Sequence, residues 1–223
     1  MAIAFDAFGS GTVISGTSIS YSHTTTGSDI VLVAALVEVT GTTKRSGAPT
    51  YNGGAMTQIG SDFVWSTGNR LITFWYVLNP ATGSNTVACS FGSSGTAGLA
   101  TMTYTGCDTS SQPDNSAFQS SGGIGGTTYT SDVTSSANNC WHVAFFTGNS
   151  GTPSAGASTT ERGTSSTFSG KILGGYDGNA AITPAGASTL NFNISATTTR
   201  VAVGATLKPL ASASSNSNFL AFF

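Results

Sequence analysis

The chain alternates between apolar and hydroxyl-bearing positions along most of its length, and the period is two. In "TSISYSH" Ile19, Tyr21 and His23 alternate with serine, the pattern of a half-buried strand. "DIVLVAALVEV" is apolar from Ile30 to Val39 with Glu38 as its interruption, which suits a central strand covered on both faces. Asn52-Gly53 follows between short apolar segments. That dipeptide tolerates the two positive φ angles of a type I′ turn, so a hairpin is expected with Tyr51 and Met56 near its tip. "RLITFWYVLNPATGSNTVACSFG" predicts two strands, Leu71 to Leu78 and Asn85 to Phe91, joined by a Pro80/Gly83 turn, and "AGLATMTYTG" predicts a further strand.

The second half repeats this style with weaker amplitude. "GGTTYTSDVTS", "NCWHVAFFTG", "TTERGTS", "GKILGGYDG", "STLNFNISA" and "RVAVGATLKP" read as short strands up to Pro209, with "QSSGGIGG" as a flexible connection. No segment carries a helical period. Ten or so short strands separated by turn clusters predict an all-β fold, an antiparallel, jelly-roll-like β-sandwich, as one main domain over residues 1–210. Residues 211–223 stand apart. "ASASSNSN" is a polar linker, and Phe219, Leu220, Phe222 and Phe223 form an apolar end, read as a docking peptide for a neighbouring subunit or an underlying shell protein.

The strand Leu71 to Leu78 is apolar on both faces, Leu71-Thr73-Trp75-Val77 on one and Ile72-Phe74-Tyr76-Leu78 on the other, so both need cover. Either the opposite part of the same domain or a neighbouring subunit supplies it. The composition favours the subunit: only 7% of residues are charged, and charge is depleted from interface cores. With a net charge of -2 and no basic stripe, the chain lacks the footprint of a nucleic-acid or anionic-membrane binder. No apolar run is long enough for a membrane helix. No Lys or Arg precedes the first apolar residues, so no Sec signal peptide is expected and synthesis in a cytoplasm is.

At this point the middle of the chain resembles a known kind of module. The ordered set "YNGGAMTQIGS", "RLITFWYVLNPATGSNTVACSFG", "GLATMTYTGCD" and "VAVGATLKP", spanning about Ser28 to Pro209, is similar to a β-sandwich module of uncharacterised phage virion proteins and bacterial surface proteins. The resemblance implies a jelly-roll or concanavalin-like architecture and a structural or adhesive role. It brings no catalytic residues.

The chain's own chemistry is sparse. His23 and His142 lie in strand patterns outside any nucleophile motif and read as packed or surface imidazoles. The two glutamates, Glu38 and Glu161, are far apart in sequence and form no pair on one strand of the kind a sandwich glycosidase uses. Asp108, Asp114, Asn115, Asp177 and Asn179 offer oxygens to a calcium ion but serve more simply as turn formers, and "GGIGG" lacks the Lys of a phosphate loop. Cys89, Cys107 and Cys140 are an odd set without CxxC spacing. A Cys107–Cys140 bridge is the minority reading. Trp75 and Trp141 read as core. Trp65, close to a turn, and Tyr76 are the candidate glycan contacts.

The expectation is therefore a non-enzymatic virion component without cofactor, a capsid decoration or cement protein or a head or tail fibre part, whose partners are its own copies and a major shell or tail protein. The alternative is a carbohydrate-binding or adhesive surface module that touches a host glycan. A transmembrane β-barrel is a distant third.

Overall fold

The computed structural model describes residues 2–39, 45–66, 70–120 and 126–211. The described residues are strands, turns and loops, with no helix among them. The strands are β1 (Ala4–Thr25), β2 (Val31–Glu38), β3 (Thr50–Tyr51), β4 (Gly54–Ala55), β5 (Thr57–Ser66), β6 (Arg70–Leu78) and β7 (Gly83–Thr105). They continue as β8 (Asn115–Ser120), β9 (Thr128–Thr134), β10 (Trp141–Gly148), β11 (Pro153–Ala155), β12 (Thr160–Thr164), β13 (Gly174–Asp177), β14 (Ala187–Ile194) and β15 (Arg200–Leu207). The fold is an all-β antiparallel sandwich, as expected.

β2 is the central strand that its unbroken apolar run predicts. β6 and β7 pair with its two edges, and all eight of its residues are buried. The Asn52-Gly53 hairpin is also present. Tyr51 pairs with Gly54, and both turn residues have positive φ, 49° and 78°. Because β-branched residues are strained at such angles, replacing Asn52-Gly53 by Val-Val is expected to destabilise the fold by roughly 2 kcal/mol or more and to lower soluble yield. Unchanged yield and melting temperature would show that this turn does not set the β3–β4 register.

Two expectations need correction. The segments 85–91 and 97–105 belong to one continuous strand, β7. β6 and β7 are also not sheet neighbours, because β2 lies between them and the Pro80/Gly83 connection crosses its end. β1, whose first half the periodicity did not single out, pairs with β7 from Ala4↔Thr105 to Thr25↔Gly83, with irregularities between Val13 and Ser18. Each of these strands runs through two layers. Residues 97–105 of β7 sit beside β2, and Tyr51 of β3 pairs with Val87 in the other half.

The second half of the chain rebuilds the first. Ala34 lies between Trp75 and Thr101, and Ala144 lies between Tyr176 and Gly204. β10 thus answers to β2, β13 to β6, and β15 to the last part of β7. β8, β9, β12 and β14 answer in turn to the first and second parts of β1, to β5 and to the first part of β7. A left-handed residue precedes each central strand, Asp29 at φ 54° and Asn139 at φ 64°. The chain is two similarly built, two-layered sandwiches in tandem.

Each repeat has its own core between its layers. In the first it is built from Ile19, Leu32, Leu36, Trp75, Val87 and Leu99, and in the second from Ala144, Phe146, Tyr176, Leu190, Phe192 and Ile194. A third and larger core lies between the repeats. Val31, Val33, Ile72, Phe74, Met102 and Tyr104 of the first meet Trp141, Val143, Phe145, Val201, Val203 and Leu207 of the second. The second face of β6 is therefore covered by the same chain, not by a neighbouring subunit.

The packing is reciprocal. β1 meets β12 as β5 meets β8, and β7 meets β13 as β6 meets β15, which is the signature of an approximate two-fold axis. Equivalent stretches also pair with each other near that axis. Cys107 bridges Pro209, flanked by Asp108 N–H to Lys208 O at 2.9 Å and Leu210 N–H to Gly106 O at 2.8 Å.

Candidate functional site

No cluster of reactive groups stands open to solvent among the described residues. Both histidines are buried and bonded to hydroxyls. His23 contacts Thr101 at 3.2 Å and Thr103 at 3.3 Å, and His142 contacts Ser131 and Ser188, both at 3.1 Å. Burial lowers each imidazole to about 4, so both are neutral at pH 7. In the Ser131–His142–Ser188 chain Ser131 and His142 are buried within the second repeat and Ser188 is partly exposed. Glu38 is held at the end of β2 by the Arg45 backbone N–H at 2.7 Å and guanidinium at 3.3 Å, while Glu161 sits on edge strand β12 of the other repeat. Burial raises the Glu38 carboxyl against the pull of Arg45.

The Asp and Asn residues considered for calcium are engaged as turn and strand ties. Asp108 accepts from Ser110 N–H at 2.8 Å, and Asp114 from Ser136 N–H at 2.7 Å. Asn115 donates to Thr134 O at 2.9 Å. Among the described residues no three His, Cys, Asp or Glu are grouped to hold a metal ion. Cys89, Cys107 and Cys140 are free and buried, and burial pushes their thiols up to about 12, 12 and 11.

Trp65 departs from its expected place. Its ring is 3% exposed and belongs to the central core, so the face a sugar would stack on is turned inward. The reason is strand alternation in β5: Val64 points out at 58% exposure, which sends Trp65 in. Tyr76 is half-buried against the same core, and Trp75 and Trp141 are core residues as expected. Phe219, Leu220, Phe222 and Phe223 lie outside the described residues.

What the structure does bring together is a pair of seats for edge strands. Each repeat's first strand pairs with that repeat's own last strand but sends its phenylalanine onto the other repeat. Phe8 packs on Gly163 of β12, where a Cβ would fall 2.4 Å from the ring, and Phe118 packs on Gly60 of β5, where it would fall 2.7 Å away. A side chain at either glycine would push the ring out. Phe5 completes the first seat, edge-on to Tyr104 at 5.7 Å with the Arg162 guanidinium 4.5 Å above it. Phe63 and Phe74 complete the second, at 5.9 and 6.5 Å from Phe118.

Compared with protein-family models, curated proteins and solved structures, the chain finds no match in any of the three. The site is therefore judged on its geometry alone.

A buried polar lock joins the repeats beside the first seat. The Asp177 carboxylate accepts from Tyr104 Oη–H at 2.8 Å across the interface and from Arg162 Nε–H and Nη2–H at 2.7 and 2.9 Å. By strand register its counterpart in the first repeat is Tyr76, and the counterpart of Tyr104 is Leu207. The lock exists on one side of the axis only.

Where the first and last described residues, Ala2 and Ala211, come together lies an open groove of about 670 Å³, lined by Ile3, Asn138, Trp141, Lys208, Pro209 and Leu210 among others. Its floor is apolar and its rim carries amide and ammonium groups. Ala211, the last described residue, forms part of its wall. The segment beyond carries a pattern that sequence reasoning overlooked. Phe219-Leu220-Ala221-Phe222 has the spacing of Phe5-Asp6-Ala7-Phe8.

Proposed function

We propose that the chain is a non-enzymatic structural protein of a virion, a capsid decoration or cement protein or a fibre component, made in a host cytoplasm and assembled through sandwich faces and a C-terminal arm. One observation carries the reading. The arm repeats the Phe-x-Ala-Phe pattern of β1, and in this fold that pattern belongs to an edge strand that clips one sandwich to another. Each repeat already has its own edge strand, β1 and β8, in that position, so the arm suits a sheet edge or apolar groove on a neighbouring copy or a shell protein. Buried side chains, each contributing about 1.5–3 kcal/mol before ordering costs, suffice for a reversible dock. The inward Trp65 removes the main support for a glycan-binding reading. Charge depletion, with several of the few charged groups engaged in internal ties, accords with a scaffold rather than a catalyst.

The test is deletion of residues 211–223. The body is expected to keep its melting temperature within about 2 °C, because residues before 211 already build all three of its cores. Incorporation into particles, measured by mass spectrometry of purified virions, is expected to be lost. Normal incorporation of the shortened chain would refute the arm, and a large drop in melting temperature would place the segment in the protein's own core.

A further inference from the structure

The central interface joins two versions of one unit about an approximate two-fold axis, so nothing in its geometry requires both units to come from one chain. We infer that it is also an assembly surface between copies: the first repeat of one chain closes onto the second repeat of another, with residues 106–114 as the hinge. The partner is a second copy of this chain, and the contact is already built.

Three features support this. First, the contacts between the repeats survive exchange, because the shared core, the Phe8 and Phe118 seats and the Cys107–Pro209 bridge all re-form between chains, as in domain swapping. Second, the middle of the hinge is a surface turn, although Cys107 at its start belongs to the central core and Gln112 is buried. Ser110 and Ser111 are exposed, and Asp108 turns the chain by accepting from the Ser110 backbone N–H and hydroxyl. Gln112 clamps the turn by donating to Asp108 O at 2.8 Å, and it ties the turn to the second repeat by donating to Lys208 O at 2.8 Å and accepting from Lys208 N–H at 3.0 Å, two bonds that a second chain's Lys208 satisfies equally well.

Third, the interface selects its partner. Pairing two first repeats would set Tyr104 against Tyr76 in place of Asp177. Pairing two second repeats would bury Asp177 and Arg162 against Leu207, with no tyrosine hydroxyl to receive. The Asp177–Arg162 pair lies within the second repeat and survives any pairing, so what like repeats lose is the Tyr104–Asp177 hydrogen bond, which leaves a buried hydroxyl or a carboxylate site unsatisfied and favours unlike repeats. Copies joined this way alternate first and second repeats, either closing as a dimer or continuing as a chain. The exchange uses none of residues 211–223 and is independent of the arm proposed above.

The test uses the full chain with the hinge shortened by deleting residues 109–111, which removes about 10 Å of reach. The main species is expected to move from one chain's mass to two or more by light scattering, with unchanged β-type circular dichroism. In a second measurement, wild-type protein carrying p-benzoylphenylalanine at position 8 is unfolded together with nitrogen-15-labelled protein and refolded at high concentration. Light-to-heavy cross-links to residues 162–164 are expected in the dimer fraction and not in the monomer fraction. A folded, monomeric shortened chain would overturn the inference. So would a shortened chain that does not fold, since its repeats would then fail to pair between copies, and so would cross-links confined to single chains in every fraction.

Discussion

Replacing Asp177 with alanine is expected to lower the unfolding free energy by about 3–5 kcal/mol, the range for removing one partner of a buried ion pair. Asp177 is fully buried and accepts four hydrogen bonds, from Tyr104, from two nitrogens of Arg162 and from the Asn179 backbone N–H at 2.9 Å. Without it the Arg162 guanidinium keeps Asn179 Oδ1 at 2.7 Å and the Phe5 ring but loses its counter-charge, and the Tyr104 hydroxyl is stranded in the central core. Urea denaturation is the measurement, and replacing Arg162 with methionine in the same chain is expected to restore part of the loss. Asp132 is the control. Its contacts to Thr189, Thr130 and Gln119 are on the surface, so Asp132→Ala should cost less than about 1 kcal/mol. Equal effects at the two positions would refute the lock.

The second large effect is expected in acid. The unfolded chain holds its histidines near the ordinary 6.5, whereas burial holds His23 and His142 at about 4 in the fold. As pH falls through 6.5 the unfolded chain takes up protons that the folded one refuses. The stability present above pH 6.5 is therefore lost progressively down to about pH 4, where the folded imidazoles also titrate. Each site contributes on the order of 3 kcal/mol over that window, so the pair is enough to threaten the fold of a typical domain. Below it, Asp108, held low by Ser110, and Asp132, held low mainly by Thr189, extend the loss. Melting temperatures between pH 7 and pH 4 check this. The His23→Gln/His142→Gln chain should show a much flatter profile in that range, and an equally steep one would assign the acid sensitivity elsewhere.

How much of this was legible beforehand depends on whether the signal is local. The burial of β2, the Asn52-Gly53 turn and the all-β class follow from short-range pattern, because side-chain alternation and positive φ are properties of neighbouring residues. Pairing is not local. β6 and β7 adjoin in sequence and predict a hairpin, yet β2 separates them, and alternation says which face is buried without saying which strand lies alongside. Trp65 was misplaced by weighing its nearness to a turn above its phase relative to Val64. The likeness of the two halves leaves a faint trace in the chain. Phe8, Thr17, Thr24, Val33 and Ala34 recur at one constant spacing as Phe118, Thr127, Thr134, Val143 and Ala144. It was masked where the cores were refilled: Leu32 and His142 occupy one equivalent position, and His23 and Val133 another, so each repeat buries its imidazole from a different strand. The edge seats were invisible for a related reason, since a glycine in a strand does not announce the ring that will lie on it.

The one-sided lock between Asp177 and Tyr104 bears on how such a molecule can change. In a symmetric homodimer every substitution is made twice, so a charge introduced at the interface arrives with its mirror image and must be neutralised at both places at once. Joining the two units in one gene removes that coupling. One position is aspartate while its twin is tyrosine, and one partner is tyrosine while its twin is leucine. The chain carries one buried ion pair where a dimer would have to carry two, and the two sides of the joint are free to be selected for different properties, adhesion on one and recognition on the other.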